Sequence, residues 1–294
     1  MKRIESCWVG FLLCLCLVVA GGHGAHAEEA PALEAYGIKH HELEREDPRI
    51  NRIQALQIGL SNPKIKPAVI IGPDPDGDGP AETALSNPLE LAAMPSVLAF
   101  VNTNPWDSFP NEDGKKNRNW YAGQPVDIHG LAIANGSVRS DTAPSTASVW
   151  FDKEGRVHLG DREADRPFSE AVHGFQQIVK EGALAVGEGG AIHPRTAIGV
   201  DKSGTKLWLV VVDGRQRNYS EGMNLHELGS LMIELGCWNA TNMDGGGSSV
   251  MGMKDSSGDL QVMNRPSDWF RGKSRVRPLP MILTIQSTEQ KDTE

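Results

Sequence analysis

The 294-residue chain has 38 acidic and 29 basic residues, a net charge of −9. That balance excludes a general nucleic-acid binder, which shows a basic footprint, but it leaves room for a local basic pocket. The cysteines exclude a disulfide-framed domain: Cys7, Cys14 and Cys16 lie at the extreme N-terminus and Cys237 stands alone in the rest of the chain.

Lys2 and Arg3 open a basic start, and Phe11 to Ala20 is an apolar run too short to span a bilayer as a stable helix. Ala25-His26-Ala27 then supplies a small-x-small cleavage pattern. Residues 1–27 therefore read as a signal peptide, with a retained signal anchor as the alternative. The expected product is exported, periplasmic or extracellular, and has no stable membrane anchor after cleavage. Cys237 follows Gly236 and enters an apolar stretch, so it reads as a buried structural thiol.

Residues 28–50 are charged and mixed, with Glu42, Glu44, Glu46 and Asp47 clustered, and are expected to form an exposed, partly helical leader. From Ile53 to Leu60 apolar and polar residues alternate at first, which predicts a strand with one solvent face. Val69 to Ile71 is a short apolar segment, Pro73 to Pro80 a turn-rich interruption and Asn87 to Met94 a short helix. Val97 to Val101 is a buried strand ending at Asn102, and a long polar loop runs from Pro105 to Trp120. The pairs Ser148–Phe151 with Arg156–Leu159, and Ala197–Val200 with Lys206–Val212, each flank a polar glycine-containing turn and predict hairpins. Lys206 to Val212 is almost continuously apolar, so both of its faces should be covered. Leu225, Leu228, Leu231, Met232 and Leu235 recur at helical spacing, with Asn224 and Glu227 placed as a capping box and Gly236 as the stop. Trp238 to Met243 is a further strand, and residues 287–294 are a polar, disordered tail.

Two carboxylates stand out. Asp213 follows the strand ending at Val212, and Asp244 follows the strand ending at Met243, with the helix between them. A helical crossover makes two such strands parallel and brings their C-terminal ends to one edge, where ligands of open α/β sheets gather. The expected fold is therefore a single domain over 51–286 of the mixed α/β or α+β class, with a mixed sheet, hairpins and a βαβ-like catalytic unit at 206–249. Asp213 runs into Gly214 and Arg215; Asp244 runs into Gly245, Gly246, Gly247, Ser248 and Ser249. Three glycines let backbone N–H groups approach an anion closely. A tight glycine turn capped by an aspartate is the plain structural alternative.

Four motifs appear in order: His193-Pro-Arg-Thr-Ala-Ile-Gly-Val-Asp201, Val210-Val-Val-Asp-Gly-Arg215, Ser220-Glu-Gly-Met-Asn-Leu-His-Glu-Leu228 and Asn242-Met-Asp-Gly-Gly-Gly-Ser-Ser249. This run resembles the phosphodiester glycosidase family, the catalytic domain of the uncovering enzyme. Asn264-Arg-Pro-Ser267 and Leu279 to Ile285 resemble the family's closing segment, and Ala99 to Asn102, Gly130 to Ile133 and Asn135-Gly136 its earlier blocks. The likeness is dense over 190–285 and diffuse over about 53–140.

The resemblance implies hydrolysis of a sugar-1-phosphodiester. It implies Asp213 and Asp244 as catalytic carboxylates, Arg195 and the loop Gly245, Gly246, Gly247 and Ser248 as substrate- and phosphate-binding, and no required cofactor. Asn102 is retained from the family's pattern, and Arg215 is a second candidate for phosphate oxygens. The loop Asn102-Thr-Asn-Pro-Trp106 departs from the family's small-residue and aromatic pattern, which bears on substrate identity. The expected partner is a small molecule or glycan, with no nucleic acid. The rival readings are a non-catalytic sugar-phosphate or polysaccharide binder of the envelope, and a structural role in exopolysaccharide export.

Three further signals have less to support them. Asp74, Asp76, Asp78 and Gly79 match the start of a calcium loop, but Leu85 stands where an EF-hand needs glutamate. A plain acidic turn and calcium on a shortened loop both stay open there. His129, His173 and His193 lack zinc spacing. Trp106, Phe109, Trp120 and Tyr121 suit either a sugar-stacking wall or a small core patch.

Overall fold

The computed structural model describes residues 33–141, 146–160 and 168–289; the expected signal peptide lies outside them. The described chain is built almost entirely of antiparallel strands. A seven-stranded sheet has the order Ile38–Arg45, Asn51–Gly59, Lys206–Val212, Arg195–Val200, Asn239–Asn242, Gln176–Lys180 and Ala183–Leu184. Two five-stranded sheets accompany it. One runs Leu260–Val262, Met251–Lys254, Val97–Asn102, Met281–Ser287, Ile65–Ile71; the other runs Val157–Leu159, Ser148–Asp152, Phe168–His173, Ala132–Ala134, Ser137–Ser140.

This overturns the mixed α/β expectation. The helix Leu225–Glu234 does cross over between Lys206–Val212 and Asn239–Asn242, and those two strands do run the same way. They are not neighbours, however. Arg195–Val200 lies between them and pairs antiparallel with both, Ala197 opposite Val210 on one side and Asn242 on the other. The preceding hairpin strand fills the slot that a βαβ unit leaves to its partner, and among the described residues the ladders are antiparallel.

The large sheet is buried on both faces because its strands are apolar at successive positions. Leu207, Leu209 and Val211 point into the main core with Leu56, Ile58 and Ile198, facing Val69, Val101 and Leu283 of the second sheet. Trp208, Val210 and Val212 point the other way, with Ile53, Ala55 and Ala197, against Leu228, Leu231 and Met232 of the helix. Each of those three helix side chains contributes about 1.5–3 kcal/mol by leaving water. The helix starts where expected: the Asn224 side chain accepts from the Glu227 N–H, and the Glu227 carboxylate accepts from the Asn224 N–H. Cys237 is buried here, its thiol pushed up to about 12 by loss of solvent.

Four local expectations change. The strand at Asn51–Gly59 has both faces covered, not one. Within the expected leader, Ile38–Arg45 is an eight-residue edge strand zipped along Asn51–Ile58, which hides half the charges' backbone while the side chains stay outside. The helix near residue 90 is a single turn, Pro88–Leu91. At the C-terminus the last strand continues to Ser287, and Glu289 pairs with Lys64 at 2.8 Å and accepts from Tyr36, so only the residues from 290 of the expected tail lie outside the described part. Among the described residues no helix is long and apolar enough to cross a membrane.

Candidate active site

The strand that separates the two aspartates also organises them. Asp213 leaves Lys206–Val212 beside Pro194, and Asp244 leaves Asn239–Asn242 on the other side of it, where the Gly246 N–H donates to the Pro194 carbonyl at 3.0 Å. Two strand spacings put the corners about 10 Å apart along the sheet edge. The His193-Pro-Arg195 segment lies between them.

The Asp213 carboxylate is enclosed and saturated. Oδ1 accepts from the Asn264 side chain at 2.9 Å and from the Arg265 N–H at 3.1 Å; Oδ2 accepts from the same N–H at 2.9 Å and from the Tyr219 hydroxyl at 3.3 Å. Burial raises its pKa, and Asn264, the Arg265 N–H and Tyr219 oppose the rise. The Asn264 amide also donates to the Ser249 carbonyl at 3.1 Å. Asp213 thus anchors the 264–265 segment to the end of the glycine loop.

Asp244 differs. Its main chain is clamped, the N–H to the Thr103 carbonyl at 2.9 Å and the carbonyl to the Asn102 side chain at 2.7 Å. Its carboxyl lies deep in the protein, although the residue as a whole is only half-buried. Burial pushes its pKa up to about 6, against the Ser248 hydroxyl, the charge of Arg277, the Gly245 N–H and the charge of Arg215. At neutral pH it is a carboxylate within reach of its protonated form, as acid–base chemistry requires.

Cations surround this carboxylate. Arg215, in a left-handed conformation (φ 58°), extends over Gly246, where an added Cβ would stand 3.0 Å from its guanidinium. Arg215 also meets the His193 ring at 3.2 Å. Arg195 donates from Nε to the Met223 carbonyl and from Nη2 to the Ala191 carbonyl, at 2.9 and 2.8 Å. Burial and the neighbouring Arg215 lower its pKa. Burial, Arg215 and Arg195 lower that of His193, which stays neutral at pH 7. Among the described residues neither Arg195 nor Arg215 has a carboxylate within ion-pair distance. Arg195 and Arg215 lie together, with Asp244 as the carboxylate that feels Arg215's charge, an excess of positive charge that suits an anion.

Arg277 completes the wall. Its guanidinium grips Asp268 through two bonds at 2.8 and 2.9 Å and reaches Ser248 Oγ at 3.3 Å. Gly247 is required by this packing, since a Cβ there would stand 2.0 Å from Asp268 and 2.1 Å from Arg277. Arg277, Asp268, Tyr219 and His193 were not legible as site residues. Only the motif Asn264-Arg-Pro-Ser267 pointed to this part of the chain, and nothing in sequence pairs residue 277 with 248.

Several expected residues fall elsewhere. Asn102 is fully buried and does not face the anion site: its Oδ1 accepts from Thr196 Oγ1 at 2.7 Å and from the Val250 N–H at 3.0 Å while its amide holds Asp244. It is a positioning residue. In the acidic turn, Asp74 caps the N–H groups of Asp76 and Gly77 and pairs with Arg139 at 2.8 Å, and Asp76 accepts from the Ala81 N–H. Asp74 and Asp76 are engaged by the chain itself, and the described residues contain no cluster of three metal-binding side chains that includes Asp78. Trp106 and Trp120 meet edge to face at 5.7 Å, with Tyr121 exposed.

The strand-rich fold brings Asp244, a glycine loop and two arginines together at one sheet edge. The family model for phosphodiester glycosidases matches residues 111–285, more than half of the sequence, and the chain belongs to that family. It is 29% identical over 106 residues to N-acetylglucosamine-1-phosphodiester α-N-acetylglucosaminidase of Bos taurus, covering 30% of this chain and 20% of that protein. It is 47% identical over 57 residues to the SPbeta prophage-derived uncharacterized protein YomE of Bacillus subtilis (strain 168), covering 19% of this chain and 8% of that one. The matches thus span a fifth or less of those curated relatives. In fold, it is similar to the zebrafish N-acetylglucosamine-1-phosphodiester α-N-acetylglucosaminidase catalytic domain auto-inhibited by its pro-peptide, with TM-score 0.60 and 20% identity over 85% of this chain and 82% of that one. It is also similar to a hypothetical protein from Synechocystis, with TM-score 0.57 and 13% identity over 85% and 62% of the two chains.

Proposed function

We propose that the protein hydrolyses a sugar-1-phosphodiester at the Asp244 corner, acting as an exported enzyme on envelope or extracellular glycans. The observation that carries this reading is a buried carboxylate, its pKa raised to about 6, next to Arg215 and Arg195, neither of which forms an ion pair with any carboxylate among the described residues. Arg215 and Arg195 hold the phosphodiester oxygens, with the Gly247 N–H as a backbone donor; the Gly246 N–H is given to the Pro194 carbonyl and the Gly245 N–H to Asp244. The ionised Asp244 takes a proton from water as the water oxygen bonds to the anomeric carbon. The bond from that carbon to the phosphate oxygen breaks, and the oxygen keeps the electron pair. A phosphate leaves as a stable anion and needs little protonation, so one carboxylate is sufficient, and the saturated Asp213 serves as a positioning residue. Family membership supports the reaction class; the basic and apolar N-terminus followed by Ala25-His26-Ala27 supports export.

The test is hydrolysis of α-linked sugar-1-phosphodiesters in ¹⁸O-labelled water, with both products analysed by mass spectrometry. The expected label is on the released sugar. Label on the phosphate would make the protein a phosphodiesterase instead, and binding without turnover across the panel would favour a sugar-phosphate-binding role.

A further inference from the structure

We infer that the hairpin Asp268–Arg275 is an extended subsite for a second phosphate of a polyanionic glycan, so that the natural substrate is a phosphodiester-linked sugar chain. This deepens the reading of the Asp244 site and rests on it. Within a chain of net charge −9, residues 265–277 hold five cations, Arg265, Arg271, Lys273, Arg275 and Arg277, against the single acid Asp268. Arg277 already grips Asp268, which leaves four cations uncompensated within the segment.

The register shows where they point. Asp268 pairs with Arg275, Trp269 with Ser274 and Phe270 with Lys273. Side chains alternate between the faces of a hairpin, so Asp268, Arg275, Phe270 and Lys273 share one face and Trp269 and Ser274 the other. Asp268 abuts Gly247, so the first face is the one turned to the glycine loop. The second face is held down: Ser274 Oγ donates to the Pro266 carbonyl at 2.6 Å, and Arg265 lies between the rings of Tyr219 and Trp269, 5.0 and 5.2 Å from their centroids. The hairpin is therefore fixed at its base, and its orientation relative to Asp244 is set.

Outward from the loop, the first face presents Arg275, then Phe270 and Lys273 one rung further, about 7 Å on, then Arg271 over the Phe270 ring at 5.1 Å. Arg275 Nε is buried with no protein partner, and so is Ser249 Oγ at the end of the glycine loop. Phe270 is 55% exposed, with Arg271 over one face of its ring. A cation, an aromatic face and a further cation at these intervals suit a phosphate, a sugar ring and another phosphate, with the ring lying on the apolar face and the charges meeting at the edge.

The test compares two probes: the methyl phosphodiester of one α-linked sugar-1-phosphate, and a synthetic trimer of the same sugar joined by 1-phosphodiesters. The variants are Arg271→Gln with Lys273→Gln, and Phe270→Ala, all on exposed positions. Expected for each variant is unchanged kcat/KM on the methyl diester and a kcat/KM on the trimer lower by on the order of tenfold at low salt, with the double variant also losing salt dependence. In the Asp244→Asn background, calorimetry should show trimer affinity falling by the same factor. Equal effects on both probes, or trimer affinity unmoved by the variants, would overturn the subsite. Failure of the wild type to cleave the methyl diester would instead count against the reaction proposed above, and calorimetric binding of the trimer would be read separately from it.

Discussion

Asp213 and Asp244 begin alike, each an Asp-Gly corner ending a strand of the same sheet and pointing the same way, yet they meet opposite fates. Asp213 receives four hydrogen bonds from three groups, all belonging to Asn264, Arg265 and Tyr219, and is sealed beneath them. Asp244 has its backbone clamped by Asn102 and Thr103, while its carboxyl meets only the Ser248 hydroxyl and the Gly245 N–H and feels the charges of Arg277 and Arg215. The difference shows how a fold separates holding from reacting. Bonds that saturate a carboxylate make it an anchor, whereas burial without saturation leaves it near the pKa at which protons move.

The sharpest way to break the comparison is to neutralise the Asp244 corner. Asp244→Asn should lower kcat by on the order of 10²–10⁴ in a steady-state assay on a sugar-1-phosphodiester, with circular dichroism unchanged. Near-normal turnover would remove Asp244 from the chemistry.

The wall around that corner comes next. Gly247→Ala places a methyl against Asp268 and Arg277. Displacing Arg277 from Ser248 by about 1 Å should cost roughly 10²-fold in kcat/KM. A crystal structure of the variant should show the Arg277–Asp268 pair displaced; full activity with the pair in place would mean that the glycine is not needed there.

Stability gives the Asp244 corner a pH signature. The folded-state pKa of Asp244, about 6, lies above its ordinary 3.8, so the native protein holds that proton more tightly than the unfolded chain. Its contribution is therefore fully present below about pH 4, declines as pH rises to about 6 and is level above. Asp244→Asn removes this loss and should be more stable than wild type above pH 6 by up to about 3 kcal/mol, and no more stable at pH 4, in urea titrations. In the wild type, kcat/KM should rise with pH through about 6 as the base ionises. A profile that falls there would make Asp244 a proton donor.

Asp213→Asn has the smallest effect on turnover. It turns an acceptor-only group toward donors with a donor of its own, at a cost of about 1–3 kcal/mol in stability, measured by chemical denaturation. Its kcat should fall less than that of Asp244→Asn. A larger fall would exchange the roles of the two aspartates.

Much of this was legible in the chain itself. Continuous apolar runs set the strands at Lys206–Val212 and Val97–Asn102, the polar glycine turns set the hairpins, and Asn224, Glu227 and Gly236 bounded the helix, because these depend on local pattern and capping. The ends of two strands in Asp-Gly, followed by three glycines, marked the corners. Strand order could not be read this way. The insertion of Arg195–Val200 between the two aspartate strands is a long-range pairing, and no local pattern distinguishes it from the parallel neighbours of a βαβ unit. The same limit hid the charged segment at Ile38–Arg45, which is a strand only because Asn51–Ile58 pairs with it.

By itself, then, the sequence determined which segments extend, where the helix stops, and that carboxylates, glycines and arginines gather in one stretch. Tertiary structure decided which carboxylate is saturated with donors. That outcome depends on Asn264, Arg265 and Tyr219 reaching Asp213, and on Arg277 reaching Ser248 instead, contacts between positions far apart in the chain. A side chain's pKa is set by the donors and the solvent around it, and only folding brings those neighbours into place.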